Sequence, residues 1–195
     1  GYIKRIPLST YKQQRRGGKG IIAAETKEED FVEDLFIAST HSYILVFTNK
    51  GKVHWLKVYN IPEASRQSQG KAIVNLLSLE NDEKATSFIP VKGFDDKHYL
   101  IMATKKGIVK KTNLYAYSNP RKGGIIAINL TKDDSLVNVV LTDGSQQIIL
   151  ATKNGMAVRF DEKTVRLIGR SGIGVRGVTL RNDEIIGMVV ASDKS

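Results

Sequence analysis

Cysteine is absent from this chain of 195 residues. That excludes a disulfide framework and any cysteine-bearing zinc site, and it is compatible with a reducing compartment. No apolar run approaches the about 20 residues needed to cross a membrane as a helix. The opening residues, Gly1 to Arg5, lack the pattern of a signal peptide. Helical periodicity is missing too: no segment reads as a helix of three turns or more. Acid is in short supply, with 20 Asp and Glu against 30 Lys and Arg, for a net charge of +10. The expectation is a soluble cytoplasmic protein without membrane contact. Its positive excess favours a polyanionic partner, nucleic acid before an anionic surface. Hydrophobic residues make up 41% of the chain, enough for a packed core.

What is present is a repeat. YILVFTNKG ends at Gly51, YLIMATKKG at Gly107 and IILATKNG at Gly155, and GYIKR from Gly1 matches the end of another copy. These first glycines are 50, 56 and 48 residues apart. A second glycine follows each at 19, 19, 17 and 19 residues: Gly20, Gly70, Gly124 and Gly174. A period near 50 suits propeller-like blades better than helical repeats. Each copy reads as a strand buried on both faces, a glycine turn, a strand with looser alternation, and two further short apolar runs. Asn154-Gly155 reads as a tight hairpin with positive φ at both positions. The expected fold is all-β, a propeller-like array of four-stranded antiparallel blades, here partial or open. The single repeat domain divides into units 1–42, 43–98, 99–147 and 148–195, each taken as one blade.

Charge follows the repeat. The hairpin halves, 1–20, 50–71, 99–123 and 153–176, hold 23 of the 30 basic residues and 3 of the 20 acids. Their net charge is +20 and that of the return segments is −10. Arrayed by the repeat, those halves make a positive belt, which releases counterions on meeting phosphates. The candidate contacts in this belt are Lys4, Arg5, Lys50, Lys52, Lys57, Arg66, Lys71, Lys105, Lys106, Lys110, Lys111, Arg121, Lys122, Lys153, Arg159, Arg170 and Arg176.

The sharpest local feature is QRRGGKG: Gln14, Arg15, Arg16, Gly17, Gly18, Lys19 and Gly20. Three glycines free the backbone to offer N–H groups to a phosphate, and three cations flank them. It does not end in Gly-Lys-Ser/Thr and no helix follows, which argues against nucleotide binding.

This segment resembles the seven-residue box of the C-terminal domain of DNA gyrase A subunits, and the preceding GYIKRIPLSTY has the same likeness. Degenerate copies recur at 65–71 (SRQSQGK), 119–124 (NPRKGG) and 169–177 (GRSGIGVRG). The related topoisomerase IV subunit has a similar domain without an intact box, so the match favours gyrase. The resemblance spans the whole chain. It implies a β-pinwheel of usually six blades, of which about four are here, with duplex DNA wrapped on the basic rim in support of negative supercoiling. It also implies two partners, the gyrase B subunit together with the rest of the gyrase A subunit, and an isolated domain that is monomeric. Catalysis and ATP use would lie elsewhere. No residue of this chain is a candidate for catalysis, cofactor or metal, and none of its seven tyrosines is assigned the family's catalytic role.

Two rival functions have less support. A protein-interaction propeller would show an apolar or mixed-charge face. An enzyme would need convergent groups, yet His41, His54 and His98 are scattered without evident partners. The acid clusters Glu28-Glu29-Asp30, Asp95-Asp96 and Asp133-Asp134 read as solvated loops rather than metal ligands. Trp55 and the tyrosines, lying in apolar strands, are expected to pack in the core rather than stack on bases.

Overall fold

The computed structural model describes residues 1–10 and 32–191. Thirteen strands follow in order: β1 Tyr2–Ile3, β2 Tyr43–Thr48, β3 Lys52–Lys57, β4 Lys71–Ala72, β5 Ala85–Val91, β6 Tyr99–Thr104, β7 Ile108–Asn113, β8 Ile125–Ile126, β9 Leu136–Thr142, β10 Gln147–Thr152, β11 Ala157–Asp161, β12 Val175–Arg176 and β13 Ile185–Ala191. Among the described residues the only helical pieces are 3-10 turns of three or four residues.

The all-β expectation holds, and all strand pairs are antiparallel. Two complete sheets have the orders β5-β2-β3-β8 and β9-β6-β7-β12. A third has β13-β10-β11, and β1 pairs with β4. This corrects the reading of each unit as its own blade. The fourth, outer strand of both complete sheets comes from the following repeat, and β4 reaches back to β1 in the same way. Its signal is the second glycine: Gly70, Gly124 and Gly174 lie next to the start of β4, β8 and β12. The exchange is sealed by backbone bonds, with Ala127 N–H and Ile128 N–H donating to Gly51 O, and Gly177 N–H and Val178 N–H donating to Gly107 O.

The central strands β2 and β6 are buried on both faces because neighbouring sheets cover both, which bears out the expectation for them. Strand β10 buries only the face of Ile148, Leu150 and Thr152 and leaves Gln147, Ile149 and Ala151 half-buried, which corrects the expectation for that strand. Along β2, Ile44 and Val46 join one core with Leu56, Ile73 and Leu77, while Leu45 and Phe47 join another with Leu100, Met102 and Tyr117. Along β6, Ile101 and Ala103 face the next core, with Ile148 and Leu150. Each large apolar side chain among them contributes about 1.5–3 kcal/mol by leaving water. The strands β5, β9 and β13 lie next to one another across successive sheets. A hydrogen-bonded chain joins them: Ser87 Oγ donates to Asn138 Oδ1 (3.3 Å), and Asn138 Nδ2 donates to Met188 O (3.2 Å). Pro90 is tolerated in β5 because that strand is a sheet edge.

The hairpin turns share one form. Gly51 N–H, Gly107 N–H and Gly155 N–H bond to Thr48 O, Thr104 O and Thr152 O. Each glycine has positive φ (72°, 85° and 84°), while Asn154 does not. The tight two-residue turn expected at Asn154-Gly155 is therefore replaced by a longer loop with a left-handed glycine, a geometry that also follows strand twist.

Candidate nucleic-acid interface

The belt read from sequence divides into three groups in the structure. In the first, the lysines at the hairpin tips are held by acids and carbonyls of the return segments. Lys50 Nζ donates to Asn81 O (2.6 Å), and Lys52 and Lys50 pair with Glu80 at 2.5 and 3.8 Å. Lys105 and Lys153 share Glu184 at 2.8 and 3.3 Å, and Lys106 Nζ donates to Lys132 O (2.6 Å). The hydrogen bond from Lys52 holds the Glu80 carboxyl below its ordinary pKa, and the bond from Lys105 does the same for Glu184. The segregation of sign seen in sequence is thus partly undone at this end of each sheet.

In the second group, four expected rim contacts are drawn into the seams between repeats, which corrects their placement on the rim. Lys4 Nζ donates to Ser65 O, Arg66 O and Ser68 O at 3.1, 2.7 and 2.8 Å. Lys110, fully buried, donates from Nζ to Ala127 O (2.5 Å), Gly169 O (3.3 Å) and Arg170 O. Burial, with the Arg170 charge adding to it, draws the Lys110 pKa down to about 7. Arg5 Nε donates to Ile61 O (3.3 Å), and Arg5 pairs with Glu63 at 3.3 Å. Lys111 Nζ meets the buried Glu162 carboxylate at 3.0 Å and lies 4.4 Å from the Tyr99 ring centroid. Both faces of β7 are covered, Lys110's by Ala127 and the 169–170 loop and Lys111's by Glu162 and Tyr99.

The third group reaches solvent. Arg66, Lys71, Arg121, Lys122, Arg170 and Arg176 have no acidic partner among the described residues. Arg66 and Lys71 flank or form β4, Arg121 and Lys122 precede β8, and Arg170 and Arg176 flank or form β12. The same outer edge of three successive sheets therefore carries two cations free of acids. Lys57 lies 5.4 Å from the Tyr59 ring centroid and 5.8 Å from that of Tyr43. Arg159 donates to Gln147 Oε1 (3.4 Å). Arg166, exposed before β12, belongs with this group and was not among the sequence candidates, although its half of the repeat contains it. The box Gln14–Gly20, with its seven residues, lies outside the described residues.

Two histidines have partners that the sequence did not reveal. His54 Nε2 is 3.2 Å from Glu83 Oε1 in a buried pair, and His98 Nδ1 is 2.8 Å from Asp95 Oδ2. Burial pushes the Glu83 carboxyl up, but hydrogen bonds from Glu80 N–H, Thr48 and His54 outweigh it and hold the pKa below its ordinary value. Trp55 donates from Nε1 to Tyr117 O (3.0 Å). Tyr117 packs in the core, as expected, while Tyr2, Tyr59 and Tyr115 are exposed, which corrects the core expectation for those three. Among the described residues no three His, Asp or Glu side chains are grouped to hold a metal ion, and no helix is long and apolar enough to cross a membrane.

The model of one protein family, described as the DNA gyrase C-terminal domain, beta-propeller, matches residues 1–39, 42–92, 98–143 and 146–192. The chain belongs to this family. It is 50% identical over 191 residues to the DNA gyrase A subunit of Buchnera aphidicola subsp. Baizongia pistaciae, covering 97% of the chain and 23% of that protein. It is 54% identical over 177 residues to the DNA gyrase A subunit of Clostridium acetobutylicum, covering 91% of the chain and 21% of that protein. The chain thus spans less than a quarter of these relatives. Among solved structures, the C-terminal domain of DNA topoisomerase IV superposes with a TM-score of 0.84 at 33% identity, covering all of this chain and 59% of that one. A DNA gyrase A C-terminal domain superposes with a TM-score of 0.71 at 26% identity, covering 97% of this chain and 61% of that one. The pinwheel architecture expected from the sequence is thereby supported on both sides, by family and by fold.

Proposed function

We propose that this gyrase-family domain binds duplex DNA without sequence preference and wraps it along the outer strands β4, β8 and β12. The observation carrying this reading is the recurrence of cations free of acids at one edge of three successive sheets. Such an edge neutralises phosphates at the spacing of the repeat and offers no helix for reading bases. Bending 20–30 bp of DNA by 40–90° costs on the order of 1–6 kcal/mol, so several blades must contribute together. The box Gln14–Gly20 is the anchor at one end of the path. The domain acts with gyrase B and with the rest of the gyrase A protein. The reactive centre lies outside this chain, and the wrap supports negative supercoiling.

The test is whether the protein constrains supercoils in relaxed circular plasmid. With about ten phosphates neutralised, log K falls against log salt with a slope near −9. A slope shallower than about −3, or no constrained supercoils, overturns wrapping. The likeness to a topoisomerase IV C-terminal domain favours one second reading, the equivalent domain of that enzyme. Negative supercoiling by the assembled enzyme decides between the two.

A further inference from the structure

Lys4 and Lys110 occupy equivalent positions, each three residues after the first glycine of its repeat. Each reaches across the seam to the loop that precedes the outer strand supplied by the next repeat. Lys4 gathers the carbonyls of Ser65, Arg66 and Ser68, and Lys110 those of Gly169 and Arg170 together with Ala127. In its charged form each lysine has three protons to give, matching the three carbonyls around it. The peptide group is planar and trans, so a carbonyl turned in toward the ammonium turns the following N–H outward. By that geometry the N–H groups of Arg66, Gln67 and Gln69 face away from Lys4, and those of Arg170 and Ser171 away from Lys110. Arg170 is steadied further by donation from Nη1 to Ile126 O (2.6 Å). Outward amides beside a guanidinium make an anion-binding concavity. In the intervening repeat the same position is His54, which turns to Glu83 and packs on Gly124 instead. There the loop offers Arg121 and Lys122 with no ammonium behind them.

We infer that Lys4 and Lys110 are positioning residues for phosphate capture, acting through Arg66 and Arg170 and the loop amides rather than by touching DNA. This rests on the DNA-binding reading above. One lost phosphate contact weakens binding about fivefold at 0.15 M salt.

The experiment is a double-mutant cycle in the full-length protein, assembled with its partner subunit, with duplex DNA as probe. Lys110→Met is expected to weaken binding about fivefold alone and by no more than about twofold, the share of the loop amides, in an Arg170→Ala background. Amide exchange at residues 169–172 should quicken in the DNA-free protein while that at 65–68 is unchanged. Lys4→Met, at a less buried site, repeats the test against Arg66→Ala should Lys110→Met fail to fold. Losses that add in full to those of the arginine substitutions overturn the inference, and so does unchanged binding in Lys110→Met and Lys4→Met. If Arg121→Ala and Lys122→Ala weaken binding while the two lysine variants do not, only this inference falls. If none of them matters, the DNA-binding reading falls with it.

Discussion

Replacing Lys111 by Met should destabilise the domain by about 3 kcal/mol. Lys111 lies in β7, and Glu162 lies in the turn after β11 of the next sheet, so their contact crosses a seam. Glu162 is fully buried. Its Oε2 accepts from Thr142 Oγ1 (2.8 Å) and meets Lys111 Nζ at 3.0 Å, while Oε1 accepts from Gln146 N–H (2.8 Å). Removing one partner of a buried pair costs about 3–5 kcal/mol, because the other charge is left uncompensated. The carboxylate keeps two of its donors, and Met retains most of the apolar stem, which places the cost at the lower end. With an m-value of about 2 kcal/mol/M in urea, the unfolding midpoint should fall by about 1.5 M. Adding Glu162→Gln should recover part of the loss, since the stranded charge is then gone. Lys105→Met, which breaks an exposed pair with Glu184, should move the midpoint far less. The reasoning fails if Lys111→Met moves the midpoint by under about 0.3 M, or if the double variant is no better than the single one.

Three further outcomes are expected. Gly155→Ala carries only the cost of a left-handed alanine, about 1 kcal/mol, since nothing lies within 4 Å of the added carbon. Gly51→Ala should cost clearly more by thermal unfolding, because its Cβ would meet Ile128 O at 2.5 Å; equal losses would refute the seam's tightness. Glu83, held below its ordinary pKa, binds fewer protons folded than unfolded; its contribution is present above the unfolded pKa and is lost as pH falls through the folded one. Glu83→Gln should therefore flatten the acid side of the stability profile measured in urea, and an unchanged profile would count against the buried network. Arg121→Ala with Lys122→Ala should reduce the salt slope of DNA binding by about 2, whereas Lys50→Ala with Lys153→Ala should reduce it by less. Equal reductions would erase the distinction between paired tips and acid-free edges.

The strands most plainly written in the sequence are those with a continuous apolar run before a glycine: β2, β6 and β10 declare their length, and β2 and β6 also their burial on both faces, whereas β10 buries one face only. Strand exchange was not legible. The segments β4, β8 and β12 are two residues long, too short for any periodicity, and only the second glycines marked them. Which sheet they complete depends on the seam, where a carbonyl at Gly51 or Gly107 waits for donors one repeat away. The cations were legible as a group but not individually. Lys110 and Lys111 sit in a strand whose polar residues resemble those of an exposed edge, and segments from the next repeat cover them, the 169–170 loop over Lys110 and Glu162 over Lys111. Lys122 and Lys50 look alike in sequence, yet only the latter has an acid delivered to it by the return segment. His54 and His98 appeared solitary because their carboxylate partners, Glu83 and Asp95, are set beside them by strand pairing or by a local turn.

Because each outer strand is borrowed from the repeat that follows, neither complete sheet can be finished until the ribosome has delivered part of the next repeat, through β8 or β12. The nascent domain is therefore expected to carry one incomplete blade forward as it emerges, and to lose blades in linked pairs when pulled. Tension applied at one rim strand is transmitted through the backbone into the neighbouring blade. A load placed on β8, for instance, is borne by the hairpin of β2 and β3 on one side and by β7 through the chain on the other.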